Sequence, residues 1–158
     1  MATITVVSPK TVFPGADSFF FQQTEANSTT VAALRWVTIN ATPRWAAVAS
    51  DPATVAGTNM VAGVNATSGL VATDIFAYVP GTIVEANSNS ATDLLLGTAY
   101  GVVISSNDHQ IDQTDTTNDV VIPLRLSPKD ASGDTNARHW VKFDPAVLIW
   151  SVGLYNPT

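Results

Sequence analysis

The chain contains no cysteine. That absence removes disulfides, thiolate nucleophiles and cysteine-ligated zinc or iron–sulfur centres, so stability has to come from core packing and from assembly. It does not fix the compartment. Charge is also scarce: charged side chains make up 13% of the 158 residues, about half of the ~25% usual for soluble domains. Neutral Thr, Ser, Asn and Gln must cover the surface instead. With little charge repulsion between copies, self-association or a permanent partner is easier than for an ordinary charged monomer.

Positive charge is the scarcer sign. Seven basic residues against thirteen acidic ones give a net charge of -6. Lys10, Arg35, Arg44, Arg125, Lys129, Arg138 and Lys142 stand singly along the sequence. Phosphate binding needs several cations converging on one surface, so nucleic acid is not an expected partner. Long apolar runs are missing too. No stretch of about 18 apolar residues occurs, and no charged start is followed by an apolar segment and a cleavage site, so neither a membrane span nor a signal peptide is expected. At 158 residues a single core is enough, since a domain of this size buries roughly 68–70% of its unfolded surface.

What is present is a recurring short run of β-branched or aromatic residues bounded by Gly, Pro, Asn, Asp or Ser, the pattern of strands and turns. Such runs fall at 3–7, 19–23, 31–40, 45–49, 70–79, 82–86, 94–105, 120–127, 139–143 and 147–154. Turns are expected at Phe13-Pro14-Gly15, Ala41-Thr42-Pro43, Pro80-Gly81 and Pro128-Lys129-Asp130, among others. No segment of eleven or more residues holds an uninterrupted helical apolar period, and one short helix near 128–137 is the most that is expected. Pro52, Gly57 and Gly63 argue against a continuous helix in the Ala-rich stretch 45–64. The expected fold is all-β: one domain over 1–158, a β-sandwich or barrel of jelly-roll type, with 1–10 and 152–158 as candidate assembly arms.

Alternation assigns faces, because neighbouring strand residues point to opposite sides. Ile122, Leu124 and Leu126 share one side of their run and are expected in the core, with Val121, Pro123 and Arg125 opposite. Leu148, Trp150 and Val152 share a face. His139, Val141 and Phe143 lie opposite Trp140, Lys142 and Asp144, so Trp140 falls on the charged side. Trp140 and Lys142 are therefore candidate interface residues, although a rim tryptophan covered by a loop has the same pattern.

Catalytic chemistry finds little support. The tract Asn107-Asp108-His109-Gln110-Ile111-Asp112-Gln113-Thr114-Asp115 is the most polar in the chain and is expected to be a solvated loop. It lacks the glycine and closing glutamate of a calcium-binding loop, and no second histidine lies at helical spacing for zinc. A hydrolytic triad would use His109 or His139, but no Gly-x-Ser-x-Gly elbow occurs. Glu25 and Glu85 are the only glutamates, and a polar surface position is expected for each, not a glycosidase carboxylate pair. The glycines form no dinucleotide or phosphate-loop motif. The Asn-x-Ser/Thr triplets at Asn27, Asn40 and Asn65 are no more than an Asn- and Thr-rich chain would contain. No catalytic, cofactor or metal residue is assigned.

A Cys-free, low-charge chain rich in Ala, Thr, Val and Gly that begins Met1-Ala2-Thr3-Ile4-Thr5 resembles, in composition and style over its whole length, the small structural proteins of tailed bacteriophage particles. Within that group it is most similar to the capsid decoration, or cement, proteins. Val12-Phe13-Pro14-Gly15-Ala16 and Gly97-Thr98-Ala99-Tyr100-Gly101-Val102-Val103 are in keeping with this. The resemblance implies an oligomer, a trimer being favoured, bound to the major capsid protein on the outer face of the head. It also implies location in the virion after assembly in the host cytoplasm. No functional residue is carried over. Two other readings stand beside it: a phage tail or fibre subunit, and a carbohydrate-binding β-sandwich module with sugar-stacking rings among Trp36, Trp45, Trp140, Trp150, Tyr78, Tyr100 and Tyr155. Exposure of those rings discriminates the last from the others.

Overall fold

A computed structural model describes residues 1–23, 34–39, 45–47, 60–66, 73–105 and 108–151. Its strands are β1 (Lys10–Phe13), β2 (Phe20–Gln23), β3 (Trp36–Ile39), β4 (Trp45–Ala47), β5 (Gly63–Asn65), β6 (Thr73–Ala77), β7 (Ile83–Asn87), β8 (Gly101–Ser105), β9 (Asp108–Asp112), β10 (Val121–Leu126) and β11 (Arg138–Phe143). All the strand pairings are antiparallel. They form a four-stranded sheet in the order β1-β7-β11-β10, a five-stranded sheet in the order β2-β6-β5-β3-β4, and the hairpin β8-β9. The fold is all-β as expected. Among the described residues the sheets stay open, so the barrel alternative is not formed.

The two larger sheets meet over one hydrophobic cluster. Trp36 of β3, fully buried, stands edge-on to Phe143 of β11 with ring centroids 4.9 Å apart, and Tyr78 lies 5.5 Å from the same Phe143 ring. The other flank of Trp36 stacks on His109 of β9 at 5.1 Å, so all three sheets converge on this indole. Val61, Val84, Val102, Ile111, Val121 and Val141 fill the space around it. A close approach of backbones supports the packing: a Cβ on Gly63 would stand 2.0 Å from the Phe76 carbonyl oxygen, so only glycine fits where β5 lies against β6.

In β11 the alternation holds: His139, Val141 and Phe143 are buried and Lys142 is exposed. In β10 it does not. Val121 and Pro123 face the core opposite Phe143 and Val141, while Leu124 is 38% exposed and Ile122 and Leu126 are half-buried. The register shifts between Pro123 and Arg125, which places Leu124 and Arg125 together opposite Trp140. Such a bulge reverses the inward parity within one strand. Leu124 is therefore not a core residue. Pro123, which cannot donate to a ladder, is tolerated because β10 lies at the edge of its sheet.

Other expectations also change. The described part of the apolar run that begins at 147 is not a strand: Pro145–Val147 and Ile149–Ser151 are 3-10 turns. The Asp144 carboxylate accepts from the Ala146 N–H at 2.7 Å, and Pro145 presets the helical φ that starts the first turn. Leu148 is buried, as expected. Trp150 is half-buried, with its Nε1–H donating to the Ala62 carbonyl at 2.6 Å. Val152 lies outside the described residues. No helix forms at 128–137, where side-chain carboxylates bind the backbone instead: Asp134 accepts from Ala131 N at 3.0 Å and Ala2 N at 2.6 Å, and Asp130 from Arg138 N at 2.7 Å. Segment 3–7 is an extended stretch with one bridge, Thr3 to Thr135, and not a strand. It is held to its own chain by Ile4 N–H donating to Thr135 O at 2.8 Å and Val7 N–H to Asn87 Oδ1 at 3.0 Å. The segment 152–158, Glu25, Asn27 and Asn40 lie outside the described residues. Asn65 is fully buried and is no glycan acceptor in this fold.

Candidate interaction surface

The four-stranded sheet turns one side to the core and the other to solvent. On the solvent side, the antiparallel register sets Lys10, Glu85, Trp140 and Arg125 side by side across four strands. The next row is Phe13, Ile83, Lys142 and Ile122. These residues come from distant parts of the sequence. Cross-strand neighbours stand about 5 Å apart, so each row spans about 15 Å.

The centre of the face is Trp140. Its Nε1–H donates to Glu85 Oε2 at 3.0 Å, the Arg125 guanidinium lies 5.1 Å from the ring centroid, and Phe13 meets the ring edge-on at 5.7 Å. Glu85 is 7% exposed and also accepts from Ser127 Oγ at 2.8 Å and Lys129 Nζ at 3.1 Å. Burial pushes the Glu85 carboxyl up, but the bonds from Ser127, Trp140 and Lys129 outweigh it and leave the group below its ordinary range. Glu85 is thus an anchored anion within the sheet and not the polar surface residue expected. As a base it is poor, because its lone pairs are committed and the Ser127 hydroxyl already donates to it.

The face also gathers cations. Of the six described basic residues, five belong here: Lys10, Arg125, Lys129, Arg138 and Lys142. Their separation along the sequence does not survive folding, because strand pairing joins residues far apart in the chain. Lys129 is bonded to Glu85, Arg138 is paired with the buried Asp130, and Arg125 lies over Trp140. Among the described residues, Lys10 and Lys142 carry no ion pair. Phe13 (51% exposed) and Leu124 (38%) add apolar surface beside them. Aromatic, arginine and aliphatic groups at the centre with charges at the margin is the composition of a protein-binding patch.

The remaining expected positions are not surface sites. The tract expected as a loop is largely β9, in which His109, Gln110 and Ile111 are buried and Gln110 Nε2 donates to the Ser88 carbonyl at 3.1 Å. Sequence alone carries one clue to this. The β-prone run Gly101–Ser105 is separated from Asp108 by two residues, which is hairpin spacing. His139 is buried, its ring facing the Ala137 carbonyl at 3.2 Å. Among the described residues, no group of three or more His, Asp or Glu is placed to hold a metal. Also among them, no helix is long and apolar enough to cross a membrane. A depression of about 380 Å³ is lined by Val6, Asn89, Val103, Ile104, Gln110 and Asn136. No ring lines it, and its amides bond within the chain, Asn89 to Asp112 at 2.9 Å and Gln110 to Ser88 at 3.1 Å. Comparison with protein-family models, with curated proteins and with solved structures finds no match for this chain.

Proposed function

We propose that this chain is a structural virion protein, a decoration or cement protein that binds major capsid subunits on the outer surface of a tailed-phage head as a homo-oligomer, a trimer being favoured. The observation that carries the binding role is the exposed sheet face around Trp140, with Lys142, Lys10, Phe13 and Leu124 open to a partner. The phage setting rests on the sequence resemblance. A subunit held at many capsid sites gains by mass action, and an oligomer that touches several capsid proteins turns later contacts into intramolecular ones. Individually weak contacts then suffice, and no catalytic group is required.

The sugar-binding alternative is less well supported by the rings. Trp36, Tyr78 and Tyr100 are buried, and Trp140 is engaged by Arg125 and Phe13. Among the side chains described, Phe13, Phe19 and Phe20 are exposed aromatics, and the expected rings of Trp45 and Tyr155 lie outside them. A tail or fibre subunit would use the same face and is separated from the head protein by the test. The test is to mix the purified chain with undecorated heads and with tails, then measure occupancy and the temperature of head rupture. Saturable binding to heads with a raised rupture temperature is expected. A chain that binds neither particle, or whose tryptophan fluorescence responds to sugars, contradicts the reading.

A further inference from the structure

The charge of this molecule is divided unevenly between its surfaces. The outer sheet face holds Lys10, Arg125, Lys129, Arg138 and Lys142 against Glu85, Asp130 and Asp144, a net of +2, in a chain whose total is -6. The rest of the sequence therefore carries -8. A second surface has the opposite character: the turn at 112–119, between β9 and β10, contains Asp112, Asp115 and Asp119 and no basic residue. Both halves of a complementary pair thus stand on one chain.

We propose that the outer face of the four-stranded sheet docks against the acidic turn 112–119 of a second copy of this chain, in a head-to-tail contact. This rests on the homo-oligomeric part of the function proposed above and names the surfaces involved. Face-to-face pairing of two copies would set two net-positive surfaces against each other and is disfavoured, whereas face against turn joins opposite charges. The global repulsion of two acidic chains is muted at physiological salt, where the Debye length is about 8 Å, while charges in contact are screened much less.

The turn is preorganised for the contact. Asp112 Oδ1 accepts from Thr114 N at 3.0 Å, Thr114 Oγ1 at 2.8 Å and Asn89 Nδ2 at 2.9 Å. Asp115 accepts from Thr117 N at 2.9 Å, Thr117 Oγ1 at 2.8 Å and Asn118 Nδ2 at 2.7 Å. Burial pushes the Asp112 carboxyl up, but its bonds outweigh it, and the bonds to Asp115 act the same way, so both carboxyls lie below their ordinary range. A turn already fixed loses little freedom on docking. Thr114, Thr116, Thr117 and Asp119 are exposed, so threonine methyls can meet Phe13 and Leu124 while Asp119 meets Lys142. Because the two surfaces differ, the contact is heterologous, and it closes into a ring or extends into a chain according to the rotation between copies.

Sedimentation velocity of the full chain over a concentration series tests this. The wild type is expected to associate as concentration rises, and less so when salt goes from about 0.15 M to about 1 M and the Debye length falls to about 3 Å. Lys142→Glu and Asp119→Lys should each sediment as a monomer, and mixing the two should restore association, because the face of each variant then meets the turn of the other with opposite charge. Arg125→Glu and Lys10→Glu on the same face stand in should Lys142→Glu lose its circular-dichroism signature. Association that survives reversal of the face, a mixture that stays monomeric, or an assembly that salt leaves unchanged overturns this contact and leaves the homo-oligomer in place. A wild type monomeric at every concentration overturns both.

Discussion

The two sides of the four-stranded sheet share the same strands and do opposite work. Inward, Val84, Ala86, Val121, Val141 and Phe143 are all at most 3% exposed and share one cluster with Trp36 of the five-stranded sheet and Tyr78 just after β6. Outward, one residue along in each strand, stand Lys10, Glu85, Trp140, Arg125 and Lys142. The inner side gains from water exclusion and shape. The outer side holds polar and aromatic groups in fixed positions and leaves several of them accessible. In a chain with so little charge, the placement of a few cations by strand register matters more than their number.

The comparison breaks most sharply on the inner side. Phe143→Ala should cost about 3–5 kcal/mol, because the ring contacts both Trp36 and Tyr78. Urea unfolding checks it, and a loss under about 1 kcal/mol would mean that the two sheets do not share that ring. On the outer side the largest structural effect should come from Glu85→Leu. Its loss leaves the Ser127 hydroxyl and the Trp140 N–H without their acceptor, at a cost of about 1–3 kcal/mol, read as a lower denaturant midpoint with the slope unchanged.

Acid should weaken the fold in a defined order. Burial holds His139 below the ordinary histidine value, against the pull of the Ala137 carbonyl, Asp93 and Asp130. The unfolded chain therefore takes up that proton first, and stability begins to fall as the pH drops below about 6.5. Glu85, Asp93, Asp130 and Asp134 all lie below their ordinary values. Their contribution is present above the unfolded range of about 4 and is lost as the pH falls through their folded values. Denaturant midpoints from pH 8 to pH 3 should decline in these two stages. His139→Gln should weaken the upper one, and a midpoint that rises on acidification would contradict the assignment. The smallest effect is reserved for Leu124→Ala, expected within about 0.5 kcal/mol because the bulge turns that side chain outward.

Leu124 also marks what could be read from the sequence. In the run from His139 to Phe143, Val141 and Phe143 on one parity and Lys142 on the other set the faces, and Trp140 follows Lys142 outward. The run from Val121 to Leu126 is apolar on both parities up to Leu124, so alternation could not choose a side, and the register shift that decides it exists only in the pairing with β11. Glu85 read as a surface residue because its three partners lie more than forty positions away. The grouping of five cations was invisible for the same reason: it exists only once β1, β10 and β11 are placed around β7. The polar strand β9 was hidden because its burial is satisfied by hydrogen bonds and by stacking on Trp36, which leave no apolar period to read.

The central claim is that the inner side of the sheet holds the fold and the outer side holds a partner. It is tested most directly by measuring the thermal midpoint and the sedimentation mass of Lys142→Glu on the same sample. The account predicts a midpoint within about 2–4 °C of the wild type, the shift that about 1 kcal/mol produces in a domain of this size, together with collapse of the associated species to monomer. A mass unchanged from wild type, or a midpoint that falls far beyond that range, would contradict it.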